Sequence, residues 1–151
     1  MRFLIDTTFF IDIVKKDSPL VEIFQRHLLE GDELFLFCLV KYEILRGYHR
    51  AIFSKQGNEV QKDQERDRIR KFEQLTDKFH MIFLNDQHLI NRAAEVYGDV
   101  ESRGYSKIPD VDIFLIAIGQ ETGYTIVSND EHVNELAKIY GLAAENWHKN
   151  T

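Results

Sequence analysis

Apolar residues in this chain fall into two kinds of run. Four are short and rich in β-branched or aromatic residues: RFLI at 2–5, LFLFCLV at 34–40, MIFL at 81–84 and TIVS at 125–128. Runs of that length and make-up predict strands. Between them, apolar positions recur every three or four residues, which predicts helices. Leu20, Ile23, Phe24 and Leu28 mark one helix over 20–30, stopped by Gly31. Leu89, Ala93, Val96 and Val100 mark a second over 86–103, stopped by Gly104, and residues 112–122 form a densely apolar third, closed by Gly123. Glycine just past the last periodic residue is a helix-stop signal. Short strands alternating with helices predict an α/β fold: a parallel central sheet of four or five strands with helices on both faces.

One stretch breaks the pattern. Residues 55–79, KQGNEVQKDQERDRIRKFEQLTDKF, are polar through their first half, and an apolar stripe emerges only at Ile69, Phe72, Leu75 and Phe79. Two readings fit: a solvated helix laced with i, i+4 ion pairs, or a helical arm that projects from the body to contact a partner.

Composition narrows the class. A chain of 151 residues, 44% apolar and 29% charged, is expected to form one domain over 1–151 with a substantial core. No apolar run reaches the roughly 20 residues of a membrane span. The N-terminus lacks the charged and apolar regions of a signal peptide, so a cytoplasmic protein with no membrane contact is expected. A single cysteine, Cys38, excludes an internal disulfide and a cysteine-rich zinc site, and reads as a small buried core residue. The six histidines show no ligand spacing, and a net charge of −6 argues against a general nucleic-acid binder. Nor is there a G-x-S-x-G elbow, a P-loop or a G-x-G-x-x-G.

The acids carry more information than the total charge. In open parallel α/β sheets, ligands bind outside the carboxyl ends of the strands. Asp6 follows RFLI directly, Glu43 follows LFLFCLVKY near the start of a helix, and Asp130 follows TIVSN. Asp112 opens the apolar helix that leads into the fourth strand. Taken singly, each is an ordinary helix-capping acid. Four carboxylates from four elements at one place are another matter. Two like charges 4 Å apart repel by about 4 kcal/mol at an effective dielectric near 20. Such a group is stable only if protons are shared or a cation sits among them. Oxygen-only ligands around an open cleft suit Mg²⁺ or Mn²⁺, and an ion of that kind activates water and neutralises charge on a phosphodiester.

Asp110 and Asp112 compete for one role. On a common helix they lie about 200° apart and cannot share a site. Asp110 follows Pro109 and suits an N-cap, so Asp112 is the candidate ligand. Asp12, on the same expected helix as the residues after Asp6, reads as a surface or supporting acid.

The order and spacing of these motifs resemble the PIN-domain family, and within it the VapC-type toxins of bacterial and archaeal toxin–antitoxin pairs. FLIDTTFFIDIV resembles the opening strand that ends in a first acid. LVKYEILRG resembles the second-acid motif, with glycine four residues on. DIFLIAIGQETGYTIVSND resembles the run of acid, apolar helix, glycine, strand and Ser/Thr-x-Asp. The resemblance covers essentially the whole chain.

It implies that Asp6, Glu43, Asp112 and Asp130 are the catalytic acids, with Asp6, Asp112 and Asp130 holding Mg²⁺ or Mn²⁺. Ser128 would orient the site. Thr8 falls where many relatives carry Asn or Ser, and Ile116 and Ala117 replace the usual pair of small residues in the third motif's helix. The implied activity is hydrolysis of RNA phosphodiesters to 5′-phosphate and 3′-hydroxyl ends, on a structured RNA such as tRNA or an rRNA loop. The implied state is a homodimer silenced by a cognate antitoxin. Lys41, Arg46, His49 and Arg50 cluster in sequence around Glu43 and form either a basic rim for the RNA backbone or a solvated helix face. Two other readings stay open: a metal-dependent DNA or flap nuclease, and a non-catalytic RNA-binding module of the same fold.

Overall fold

A computed structural model describes residues 1–15 and 18–148. The strands are β1 (Arg2–Ile5), β2 (Glu33–Phe37), β3 (His80–Ile82), β4 (Thr125–Val127) and β5 (Ala144–Glu145). The helices are α1 (Thr7–Val14), α2 (Ser18–Leu29), α3 (Cys38–Ile52), α4 (Glu59–Thr76), α5 (Gln87–Ser102), α6 (Asp110–Thr122) and α7 (Glu131–Ile139). All strand pairs are parallel, in the order β3-β2-β1-β4-β5. The chain therefore builds outward from β1 to β3, crosses over, and builds outward again from β4 to β5. That reversal places a topological switch point between β1 and β4, the place where such sheets bind ligands.

The strand at the centre is buried on both faces: Phe3, Leu4 and Ile5 are without exposure. Helix α1 packs with α2, α3 and α4, while α6 packs with α5 and α7, giving a helical layer on each face. Helix α6 is apolar nearly all round, with Ile113, Leu115, Ile116, Ala117 and Ile118 buried, as expected of a helix enclosed by its neighbours. A Cβ at Gly119 would sit 3.1–3.2 Å from Leu142 and Ile126, so this glycine lets α6 lie close on β4. Gly123, at φ 70, ends the helix and turns the chain into β4.

Helix α4 starts at a reciprocal capping box between Asn58 and Gln61 and lies along α3 rather than projecting from the body. Its apolar stripe is the anchor. Phe72 is fully buried, edge-on to Phe10 at 5.5 Å, and burial of that kind contributes about 1.5–3 kcal/mol. The charged face carries ion pairs mostly at i, i+3, such as Lys62–Glu59 and Arg70–Asp67, rather than the i, i+4 spacing expected. At the other end of the chain Trp147, only 2% exposed, stacks on His27 at 4.4 Å and meets Phe3 and Phe9 edge-on at 5.3 and 5.6 Å.

Three boundaries differ from the sequence reading. Strand β2 ends at Phe37, and Cys38 to Val40 open α3 instead. The apolar run is continuous because it serves a buried strand and then the buried side of the first helical turn. Cys38 is accordingly half-buried, not a core residue. Strand β3 ends at Ile82, and Phe83 and Leu84 are exposed beyond this edge strand. Asp110 is the first residue of α6, after a Pro109 cap, and makes no capping bond with its side chain.

Candidate metal and catalytic centre

Parallel register brings the acids together. Ile5 pairs with Val127, so the residues that leave β1 and β4 on the carboxyl side, Asp6 and Ser128, are neighbours. Asp6 is the N-cap of α1, accepting from the Thr7 backbone N–H at 2.6 Å through Oδ1. Its Oδ2 accepts from Ser128 Oγ at 2.6 Å and, at longer range, from Thr8 Oγ1 at 3.4 Å. Asp130 caps α7 by accepting from His132 N–H at 2.7 Å. Asp112 stands in the first turn of α6, and Glu43 in the second turn of α3. Three of the four acids thus meet positive helix ends, which attract anions of the chain or of a ligand equally well.

Hydroxyls and amides fix the arrangement. Ser128 Oγ donates to Asp6 and accepts from the Asp130 N–H at 3.0 Å, joining two acids through one atom. Thr7 Oγ1 donates to Glu43 Oε2 at 3.0 Å, joining α1 to α3. Thr8 Oγ1 accepts from the Asn129 N–H at 3.2 Å, and Asn134 Nδ2 donates to the carbonyls of Ser128 and Asp130. Thr7 and Asn134 escaped the sequence reading. The signal for Thr7 was a hydroxyl at the first helical position beside a capping acid. For Asn134 it was an amide one helical turn beyond Asp130.

The charges are out of balance. Asp6 is 3% exposed, and its burial, with the charges of Asp130 and Glu43, pushes its carboxyl up against the lowering bonds from Ser128 and Thr7. Asp112 is pushed up to about 7, first by burial and then by the charges of Asp6, Asp130 and Glu43. Asp112 therefore feels the charges of all three other sequence-selected acids. Among the described residues the one ion pair to any of them is Arg46–Glu43, at 3.9 Å.

The neighbouring candidates sort by position. Asp110 lines an apolar groove between α5 and α6 with Ile90 and Tyr97, on the far side from the acids, whereas Asp112 shares a pocket with Asp130. Asp12 bonds His148 Nε2 at 2.7 Å, outside the acid group. On α3, Arg46 and Arg50 follow Glu43 on one face and are exposed, with His49 at its margin. Lys41 lies about 200° around the helix from Glu43, on the opposite side, and does not join that rim.

The PIN-domain family model matches residues 3–139. This chain belongs to the PIN-domain family. In structure it is similar to a chain of VapBC2 from Rickettsia felis, solved bound to a DNA fragment from its promoter, with a TM-score of 0.75, 17% identity, and coverage of 97% of this chain and 99% of that one. It is similar to VapBC-1 of nontypeable Haemophilus influenzae, at 0.71 and 18%, covering 98% and 99%. A third such structure is VapBC-5 of Mycobacterium tuberculosis, a member of the VapBC family of toxin-antitoxin systems, at 0.59 and 13%, covering 96% of each. At these identities the PIN fold is what is shared. No curated protein matches the chain in sequence. No helix among the described residues is long and apolar enough to cross a membrane.

Proposed function

We propose that the chain is a divalent-metal-dependent endoribonuclease, the toxin of a toxin–antitoxin pair acting in the cytoplasm. One observation carries the reading. Four carboxylates from four elements lie near the switch point with Arg46–Glu43, at 3.9 Å, as the one ion pair to them among the described residues, and Asp112 is pushed up to about 7, first by its burial and then by the charges of the other three. The donor set fits the missing charge: it is all oxygen, with hydroxyls orienting two of the acids, which suits Mg²⁺ or Mn²⁺. Asp6, Asp112 and Asp130 would hold the ion, with Glu43 as the fourth acid.

When bound, such an ion polarises phosphoryl oxygens and brings the pKa of a coordinated water toward neutrality. The rest falls to the chain. Ser128 holds Asp6 and Asp130 in a fixed relation. Thr7 ties Glu43 to the first turn of α1. Asp112 is buried beside three like charges, so a bound cation would favour its carboxylate form, its proton going to solvent near neutral pH. The N-termini of α1, α6 and α7 present positive dipole ends to an incoming phosphate. Arg46, His49 and Arg50 meet the flanking backbone, so a protein of net charge −6 takes RNA at one rim and not over its general surface.

The likeness to chains from VapBC complexes supports a cognate antitoxin as partner, and the family resemblance supports a homodimer and a structured RNA substrate. The test is 5′-end mapping of total RNA incubated with the purified chain and Mg²⁺ or Mn²⁺, with EDTA and Asp6→Asn as controls. New 5′-monophosphate ends at few positions, lost in both controls, are expected. A folded chain that binds Mn²⁺ and yields no new ends would overturn the assignment in favour of a DNA substrate or a binding module.

A further inference from the structure

Beside the acids lies a pocket of which the metal chemistry uses one wall alone. It measures about 320 Å³ and is bounded by the 105–109 loop, the start of α6 and one side of α7. That volume is at the small end of the range for sites that enclose a small ligand. Its floor is apolar, from Ile108 and the fully buried Leu136. One wall is the Asp112 and Asp130 pair, so the pocket opens directly onto the acid centre. The Tyr105 ring lines it and is pinned: the hydroxyl donates to Glu135 Oε1 at 2.8 Å on α7, and the backbone N–H donates to the Val100 carbonyl at 3.1 Å. At the mouth stand exposed His132 and Lys107. Lys107 has φ 65, the one positive φ outside glycine among the described residues. A long side chain held in that conformation is strained, and strain of this kind concentrates at functional sites.

We propose that this pocket takes the base of the nucleotide next to the cleaved phosphate, and so sets base preference at the cut. An apolar floor with a pinned aromatic ring suits the face of a nucleobase, and stacking of that kind accepts a flat ring without reading a duplex. Every base in a strand carries a phosphate on either side. Lys107 at the mouth would supply the cation for one, and an ion held by the acid centre next door would meet the other. An apolar peptide side chain would satisfy the floor but not this pairing of a cation with a metal centre. The substrate class here rests on the endoribonuclease reading above; the test does not.

The full chain, ¹⁵N-labelled in MgCl₂, is titrated with AMP, GMP, CMP and UMP, and with ribose 5-phosphate as a probe lacking a base. Saturable shifts of the amides of 105–109 and 132–136 are expected with at least one nucleotide, at concentrations where ribose 5-phosphate leaves them in place. Tyr105→Ala is expected to weaken that binding roughly tenfold, the loss of one stacking contact. Tyr105→Phe, which keeps the ring and loses the bond to Glu135, is expected to retain most of it. Equal shifts with ribose 5-phosphate, no shifts there with any nucleotide, or an unchanged Kd in a folded Tyr105→Ala would each overturn the pocket. The ribose 5-phosphate comparison decides the matter even if Tyr105→Ala does not fold. Base-dependent binding by a chain that cuts no RNA would sink the nuclease reading, and with it the role at the cut, while leaving a nucleobase pocket; cleavage without base-dependent binding would sink the pocket alone.

Discussion

The molecule gathers acids at both edges of its sheet, and treats them in opposite ways. At the amino edge, His27, Glu30 and Asp32 have ligand atoms all within 4.8 Å of one another, and by spacing alone they look like a metal site. Yet Asp32 already has a counter-charge in the N-terminal ammonium of Met1, and its bonds to that ammonium and to His27 Nδ1 hold its carboxyl below the usual range. At the carboxyl edge hydroxyls and backbone amides orient Asp6, Glu43 and Asp130 without neutralising them, and the one ion pair there among the described residues is Arg46–Glu43 at 3.9 Å. The carboxyls of Asp6 and Asp112 are pushed up, first by burial. Close spacing marks the acids of one edge, and raised carboxyls mark Asp6 and Asp112 at the other.

The sharpest way to break this comparison is to remove one acid from each edge. Asp6→Asn or Asp112→Asn is expected to lower RNA cleavage by more than about a hundredfold, whereas Asp32→Asn leaves it near the wild-type rate. Equal losses at both edges, measured on an end-labelled RNA with Mn²⁺, would erase the distinction. Ser128→Ala is a milder cut. It leaves every carboxylate in place but removes the atom that joins Asp6 to Asp130, and roughly tenfold weaker Mn²⁺ binding by titration calorimetry is expected.

Stability resolves the two edges by sign. The folded pKa of Asp112, about 7, lies above its ordinary value of 3.8, so its charged form costs stability. Without divalent ions the chain is therefore expected to lose stability as pH rises from about 4 to about 7, and Asp112→Asn should flatten that fall. Asp32 works the other way: its lowered pKa gives stability that is present above the unfolded value and lost as pH falls through the folded one. Mn²⁺ at about a hundred times its Kd should raise the wild-type Tm near neutral pH by roughly 5–10 °C, and do much less for Asp112→Asn. Thermal melts at several pH values, with and without Mn²⁺, check all three; a Tm that rises with pH in wild type but not in Asp112→Asn would reverse the sign assigned to Asp112.

What the sequence could say depended on how local the signal was. The path from Asp112 through a buried helix, Gly123 and β4 to Ser128 and Asp130 is contiguous, and each of its features has a local cause, so it was readable. Strand β5 has two residues and no period to detect. The end of β2 was invisible because Phe37 to Val40 stay apolar while the backbone changes from strand to helix, and burial does not distinguish the two. The bond from Thr7 to Glu43 spans 36 residues and exists only once α1 and α3 are packed. Whether α4 projects or lies down was decided by Phe72 finding Phe10, a pairing of two aromatics distant in sequence that the polar composition of its first half concealed.

Trp147 has a practical consequence. It is the chain's single tryptophan, and it sits against Phe3 of the strand that delivers Asp6 and Phe9 of the helix that Asp6 caps. Its fluorescence therefore comes from one buried site and needs no label. Native emission reports that the first and last strands are seated in the same sheet. A variant that loses cleavage while its emission spectrum stays native has lost chemistry, and one whose emission shifts toward that of solvent-exposed indole has lost the platform beneath it.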